Sequence, residues 1–201
     1  RSLVRRGIPD LVMVTTEGRR EYLAERGIES EWVPLGWVSR FGRPLGRQRD
    51  IDVLFLGARN VPRRRQILRR LARNGLRVVE EGDWNDPACW GEPRVELLNR
   101  ARILLNLART PGEMSGLRLI LGMANQALVV SEPIYRPAPF VAGEHFVSAT
   151  MEEIPEVISR YLKQDQARQA IVESAFRFVT QEVTLENSAR RIVELIRHVE
   201  P

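Results

Sequence analysis

The segment Ile51-Asp52-Val53-Leu54-Phe55-Leu56-Gly57 restricts the fold more than any other part of the chain. A near-continuous apolar run closed by glycine matches a strand buried on both faces, which occurs where helices cover a parallel sheet. The residues after Gly57 keep to that plan. The stretch VPRRRQILRRLARNG sets Val61, Ile67, Leu68 and Leu71 on one helical face and arginines on the rest, and it stops at Asn74-Gly75. A strand in LRVVEEG, a helix in EPRVELLNRA with proline in its first turn, and a strand in RILLNLA come next. A helix in SGLRLILGMANQ, opened by Ser115 as its cap, and a strand in ALVVSEP complete the alternation. Strands alternating with helices of this length pair in parallel through right-handed crossovers. The expected fold is therefore α/β, a Rossmann-like parallel sheet with helices on both faces and ligands at the carboxyl ends of its strands.

Ahead of this block, an apolar run at Leu11 to Thr15, a helical stretch at Glu17 to Arg26 closed by Gly27, and a second run at Glu31 to Leu35 form one strand-helix-strand unit. Residues 1–36 are read as the last such unit of an N-terminal domain. Residues 37–50 contain glycines, proline and arginines without periodicity and read as an exposed interdomain linker. Residues 51–163 make up the sheet domain. The tail carries amphipathic helical stretches, and 164–201 are expected to pack back on the core. The first residue is Arg1, so the chain reads as a piece of something longer.

A formal net charge of +5 and a pI near 10.2, supplied almost wholly by arginine, favour anionic ligands. Nucleic acid is the weaker candidate, because single-strand binding needs aromatic platforms beside the charges and the arginine-rich stretch from Arg63 to Arg73 has none. A diphosphate is the better-matched anion. With one cysteine, Cys89, and two histidines, no disulfide framework or Cys/His metal set can be assembled. A reducing cytoplasm fits, and no metal or other cofactor is expected. The apolar runs fall well short of the roughly 20 residues that a membrane span requires.

Two loops at the carboxyl edge of the sheet carry the candidate chemistry. In Leu56-Gly57-Ala58-Arg59-Asn60, a turn after a buried strand leads into the arginine-rich helix, so backbone amides near Gly57 and the Arg59 guanidinium would converge on phosphate. The bland alternative is simple turn geometry at a glycine. In RTPGEMSGLRL, Gly112 and Gly116 bracket Glu113 just before a helix whose start offers unpaired amides at Gly116 and Leu117. Arg118 has two readings, a phosphate ligand or a structural ion pair. His145 could contact a bound ligand, or be a satisfied structural histidine. Trp84 and Trp90 could stack on a base or pack the loop. The arginines between Pro62 and Asn74 read as a solvated face, except those nearest the helix start.

Several blocks together resemble a known family. They are Val53-Leu54-Phe55-Leu56-Gly57, Arg102-Ile103-Leu104-Leu105-Asn106-Leu107, Leu117-Arg118, Met123-Ala124, Val129-Val130-Ser131 and Gly143-Glu144-His145-Phe146-Val147. They look like the donor-binding domain of the group 1 glycosyltransferases, of B-type fold, and most closely its CgeB-like, spore-maturation-type branch. The resemblance implies a nucleotide-diphosphate sugar as substrate and an acceptor site on an N-terminal domain. It also implies Glu113 as the carboxylate near the reacting centre. In the wider family a second glutamate, eight residues on, binds the nucleotide ribose. Here that position is Leu121, and Asn125-Gln126 replace the usual small-glycine pair. Leaving such a polar partner unmade costs about 1–3 kcal/mol. Two functions therefore compete: a sugar transferase of which this chain is the donor-binding part, and a non-catalytic binding or scaffold domain of the same fold.

Overall fold

The computed structural model describes residues 7, 9–58, 60–82 and 86–199. Two parallel strands, β1 (Met13–Val14) and β2 (Glu31–Trp32), flank helix α1 (Glu17–Ala24). Thr16 opens α1 by accepting a hydrogen bond from the Arg19 amide. A five-stranded sheet comes after them, made of β3 (Ile51–Leu56), β4 (Val78–Glu81), β5 (Ala101–Asn106), β6 (Leu128–Ser131) and β7 (Val147–Ser148). Its order is β4-β3-β5-β6-β7, parallel throughout. The helices are α2 (Pro62–Arg73), α3 (Gly91–Arg100), α4 (Gly116–Ala124), α5 (Ile154–Lys163), α6 (Asp165–Gln181) and α7 (Leu185–Arg197), with one 3-10 turn at Pro87–Cys89. The α/β architecture expected from the alternation is the one observed. Strand β7, of two residues, adds a fifth member to the four strands of the alternation.

Strand pleating divides the core. Val53, Phe55, Ile103, Leu105, Leu128 and Val130 pack on Ile67, Leu68 and Leu71 of α2 and on Ile154 and Ile158 of α5. The alternate residues Leu54, Leu56 and Leu104 meet Leu98 of α3 and Leu121 of α4 on the opposite face. Helix α6 lays Ala175 and Val179 against Leu119, Ile120 and Met123 of α4. Each of these apolar stripes, visible in the sequence, thus faces the sheet or a helix lying on it.

The segment 37–50 has almost no regular structure but is not a free connection. Arg43 and Arg47 pair with Glu92 and Glu96 of α3, and the Leu45 amide donates to Asn99 Oδ1 at 2.8 Å. The Arg49 guanidinium donates to the carbonyls of Leu98, Ala101 and Asn125. Asn125, wholly buried, donates from Nδ2 to the Phe41 and Leu121 carbonyls and accepts from Asn99. A composition of arginine and glycine conceals such anchoring because side-chain donors, not apolar burial, do the holding. Helix α7, capped by Thr184, returns to the first unit, where Ser188 donates to the Pro34 carbonyl at 2.8 Å and Arg191 pairs with Glu31. Among the described residues, no helix is long and apolar enough to cross a membrane.

Candidate anion-binding cleft

Because β4 lies on one side of β3 and β5 on the other, the chain reverses its winding at the carboxyl ends of β3 and β5. A crevice is expected at such a point, and a cleft of about 650 Å³ opens there, within the size range of small-molecule sites. Its floor requires close backbone approach. The Gly57 amide donates to the Glu81 carbonyl at 2.8 Å, and a Cβ on Gly82, itself at φ +135°, would collide with the backbone of Gly57.

Arginines border the cleft. Arg64, on the first turn of α2, is 4% exposed and donates through Nε to the Leu107 carbonyl at 3.0 Å and through Nη1 to the Ala58 carbonyl at 3.3 Å. Arg118, on α4, donates through Nε to the Leu56 carbonyl at 3.0 Å and through Nη1 to Asn106 Oδ1 at 2.7 Å. The carboxyl ends of β3 and β5 therefore orient both guanidinium groups. Burial, with the like charges of Arg64 and Arg109 added, pulls Arg118 down to about 10, so it remains charged at neutral pH. Burial lowers Arg64 and Arg94 in the same direction. Arg94 and Arg109 also line the cleft, and no carboxylate does among the described residues. Glu132, a buried acid close by, is consumed by a clasp. It accepts from both terminal nitrogens of Arg63 at 2.7 and 2.5 Å and from the Ala108 amide at 2.7 Å.

The start of α4 completes the cationic wall. Ser115 occupies the cap position but its hydroxyl makes no capping bond, so the first amides of α4 lack intrahelical acceptors. The loop before it is fixed by Gly112, at φ +77°, whose carbonyl accepts from the Tyr135 amide at 2.9 Å.

The structure brings some of the candidate residues together and separates others. Gly57, Leu117 and Arg118 line the cleft, as does Trp90, which is 40% exposed. Gly116 lines a smaller neighbouring cavity of about 90 Å³, shared with Leu117 and with Thr15 and Thr16 of the first unit. Glu113 stands outside the cleft lining, with Oε2 accepting from the Thr110 amide at 3.3 Å, yet its charge reaches Arg64 and Arg118. Arg118 makes no ion pair among the described residues; its bonds go to carbonyl and amide oxygens. His145 is not brought to the cleft. It is buried, accepts from the Val141 amide at Nδ1 and stacks on Phe178 at 4.1 Å, and burial holds it below its ordinary range. Arg59 and Trp84 lie outside the described residues.

Sequence reasoning misses Arg94 and sets Arg64 apart only as one of the arginines nearest the start of its helix. A signal for Arg64 is present, since positions 64, 67, 68 and 71 fall on one helical stripe and all four are buried. Leu121, 5% exposed, also lines the cleft. Among the described residues, one group could hold a metal ion, Glu81, Asp86 and Cys89, whose ligand atoms lie within 4.8 Å of one another. It includes a cysteine and two half-buried acids at the β4 edge, and nothing further indicates an ion.

A family model described as glycosyl transferase-like matches residues 60–194. Among solved structures, HepE from Anabaena in complex with UDP-glucose superposes with a TM-score of 0.73 at 12% identity, over 94% of this chain and 64% of that one. Sucrose-phosphate synthase from Thermosynechococcus elongatus gives 0.71 at 15% identity, over 97% and 60%. TarM gives 0.69 at 16% identity, over 92% and 43%. This chain thus spans less than two thirds of each of these proteins. No match was found among curated proteins.

Proposed function

The chain belongs to the glycosyl transferase-like family, and from that premise we propose that it is the donor-binding part of an enzyme that transfers a sugar from a nucleoside-diphosphate sugar to an acceptor. The observation that carries the proposal is the charge of the cleft. Arg64, Arg109 and Arg118 line it at the winding reversal, beside the uncapped start of α4, with no carboxylate among the described lining residues. Such a wall suits a diphosphate, and it opposes the negative charge that grows on the leaving phosphate as the glycosidic bond breaks. HepE has been crystallised with UDP-glucose and with UDP, which supports a nucleotide ligand of this kind.

In this reading Gly57 and Arg59, the amides of Gly116 and Leu117, and the guanidinium groups of Arg64 and Arg118 hold the diphosphate. Glu113 stands by the sugar, outside the phosphate wall. The arginines supply the positive charge, so no metal is required. The acceptor site belongs to an N-terminal domain of which residues 1–36 are the last unit, and the isolated chain binds donor without appreciable turnover. The motif blocks from Val53 to Val147 favour the CgeB-like branch of the family. The single cysteine suits work in the cytoplasm.

Leu121 favours a second reading. An aliphatic side chain borders the cleft where the family resemblance implies the ribose-binding carboxylate, as a domain that kept the fold for binding or scaffolding would allow. Calorimetric titration with nucleoside diphosphates and their sugars, on the wild type and on Arg64→Ala and Glu113→Ala, separates the two. A donor domain binds one diphosphate selectively, in the presence of chelator, and loses about tenfold or more with Arg64→Ala. The absence of binding across the panel refutes the transferase reading and leaves the scaffold.

A further inference from the structure

Arg94 differs from the other arginines of the cleft. Arg64 and Arg118 donate to carbonyl oxygens at the strand ends, and Arg109 is exposed to solvent. Arg94, only 8% exposed on the first turns of α3, makes no side-chain hydrogen bond or ion pair among the described residues, and its Nε is shut away from solvent without an acceptor. A buried guanidinium with an unmet donor is destabilising, and a fold keeps one where a ligand, ion or water can bond the rest of the group. Its surroundings differ as well. The guanidinium lies 5.9 Å from the centre of the Trp90 ring, and Cys89 and Leu121 line the same cleft. One cation set among an indole, a thiol and an aliphatic side chain suits the edge of a flat heteroaromatic ring better than a heavily hydrated phosphate.

We propose that Arg94 reads the nucleobase of the donor, donating to a ring carbonyl oxygen while Trp90 and Leu121 border the ring, so that the cleft selects a carbonyl-bearing base over adenine. This assignment rests on the cleft being the nucleotide site. It makes Arg94 a specificity-determining residue, separate from the phosphate contacts of Arg64 and Arg118.

The test is calorimetric titration of the wild type, Arg94→Met and Arg94→Lys with UDP, GDP, ADP and inorganic pyrophosphate, with thermal unfolding of each ligand-free protein. The wild type should bind UDP or GDP at least about tenfold more tightly than ADP, a single unmet donor set being enough for that ratio. Arg94→Met should abolish the preference and leave pyrophosphate affinity unchanged. Its unfolding temperature should stay level or rise, because an unpaired buried charge has been removed, and Arg94→Lys should restore part of the preference. A parallel loss of pyrophosphate affinity would make Arg94 a phosphate ligand and overturn the assignment. So would a lowered unfolding temperature with base preference intact, which marks a packing residue. If the wild type binds none of the four, the donor-site reading itself fails, an outcome distinguishable from failure of Arg94 alone.

Discussion

In the proposed site, Arg118 would meet an anion already aimed. Bonds from its Nε and Nη1 to Leu56 and Asn106 fix the plane of the guanidinium, so little ordering remains to be done when an anion arrives. His145 illustrates the opposite fate for a titratable group. Desolvation lowers it, and the facing carboxylate of Glu144, 3.6 Å from Nε2, offsets this only in part; the Phe178 ring and the Val141 amide that surround it carry no charge. A histidine depressed in the folded state stabilises the fold above its unfolded pKa and loses that contribution as pH falls through the folded value. Stability should therefore decline as pH is lowered from 7 through 6.5 and below, by no more than about 1.4 kcal/mol per pH unit, the slope for one proton. In urea titrations across that range, His145→Gln should show a flatter profile. An unchanged slope would assign the pH dependence to another group.

Between elements, the clasp of Arg63, Glu132 and the Ala108 amide ties the first turn of α2 to the ends of β5 and β6, and so sets where Arg64 enters the cleft. Glu132→Ala leaves a buried amide without an acceptor and a half-buried guanidinium with only the Ala108 carbonyl to bond. We expect it to cost about 3 kcal/mol in chemical denaturation and to weaken diphosphate binding even though Glu132 never touches the ligand. Gln126 comes just after α4 at φ +56°, where the chain turns into β6. An L side chain is strained there, and Gln126→Gly should raise stability by about 1 kcal/mol or less once the greater freedom of the unfolded glycine is deducted. A loss of stability would mean that the Gln126 side chain makes contacts outweighing the strain. Elements are also where the sequence is most informative. Runs such as ILLNLA and ALVVSEP announce buried strands, and the stripe of Ile67, Leu68 and Leu71 announces the face of α2. Arg94 and the Arg63 to Glu132 clasp are not legible there. Both depend on side chains that the fold brings together from separate elements, and charge in a helical pattern reads as solvated until tertiary contacts bury it.

Across the whole molecule, the segment 37–50 and helix α7 bind the first strand-helix-strand unit to the sheet domain through Arg49, Asn125, Ser188 and the pair of Arg191 with Glu31. The cleft opens on the side where α4 begins, next to the small cavity shared with Thr15 and Thr16, so a donor sugar would point toward the first unit. Under the proposed function, the donor would be held on one domain with its reacting end presented to the other. All of this requires the cleft to be a nucleoside-diphosphate site, and a crystal structure of the chain grown with UDP or GDP decides whether it is. The two phosphates should lie between the amides at the start of α4 and the guanidinium groups of Arg64 and Arg118, with the base toward Arg94 and Trp90. A nucleotide bound elsewhere, or phosphates at Arg94 with the base in open solvent, would overturn the assignment.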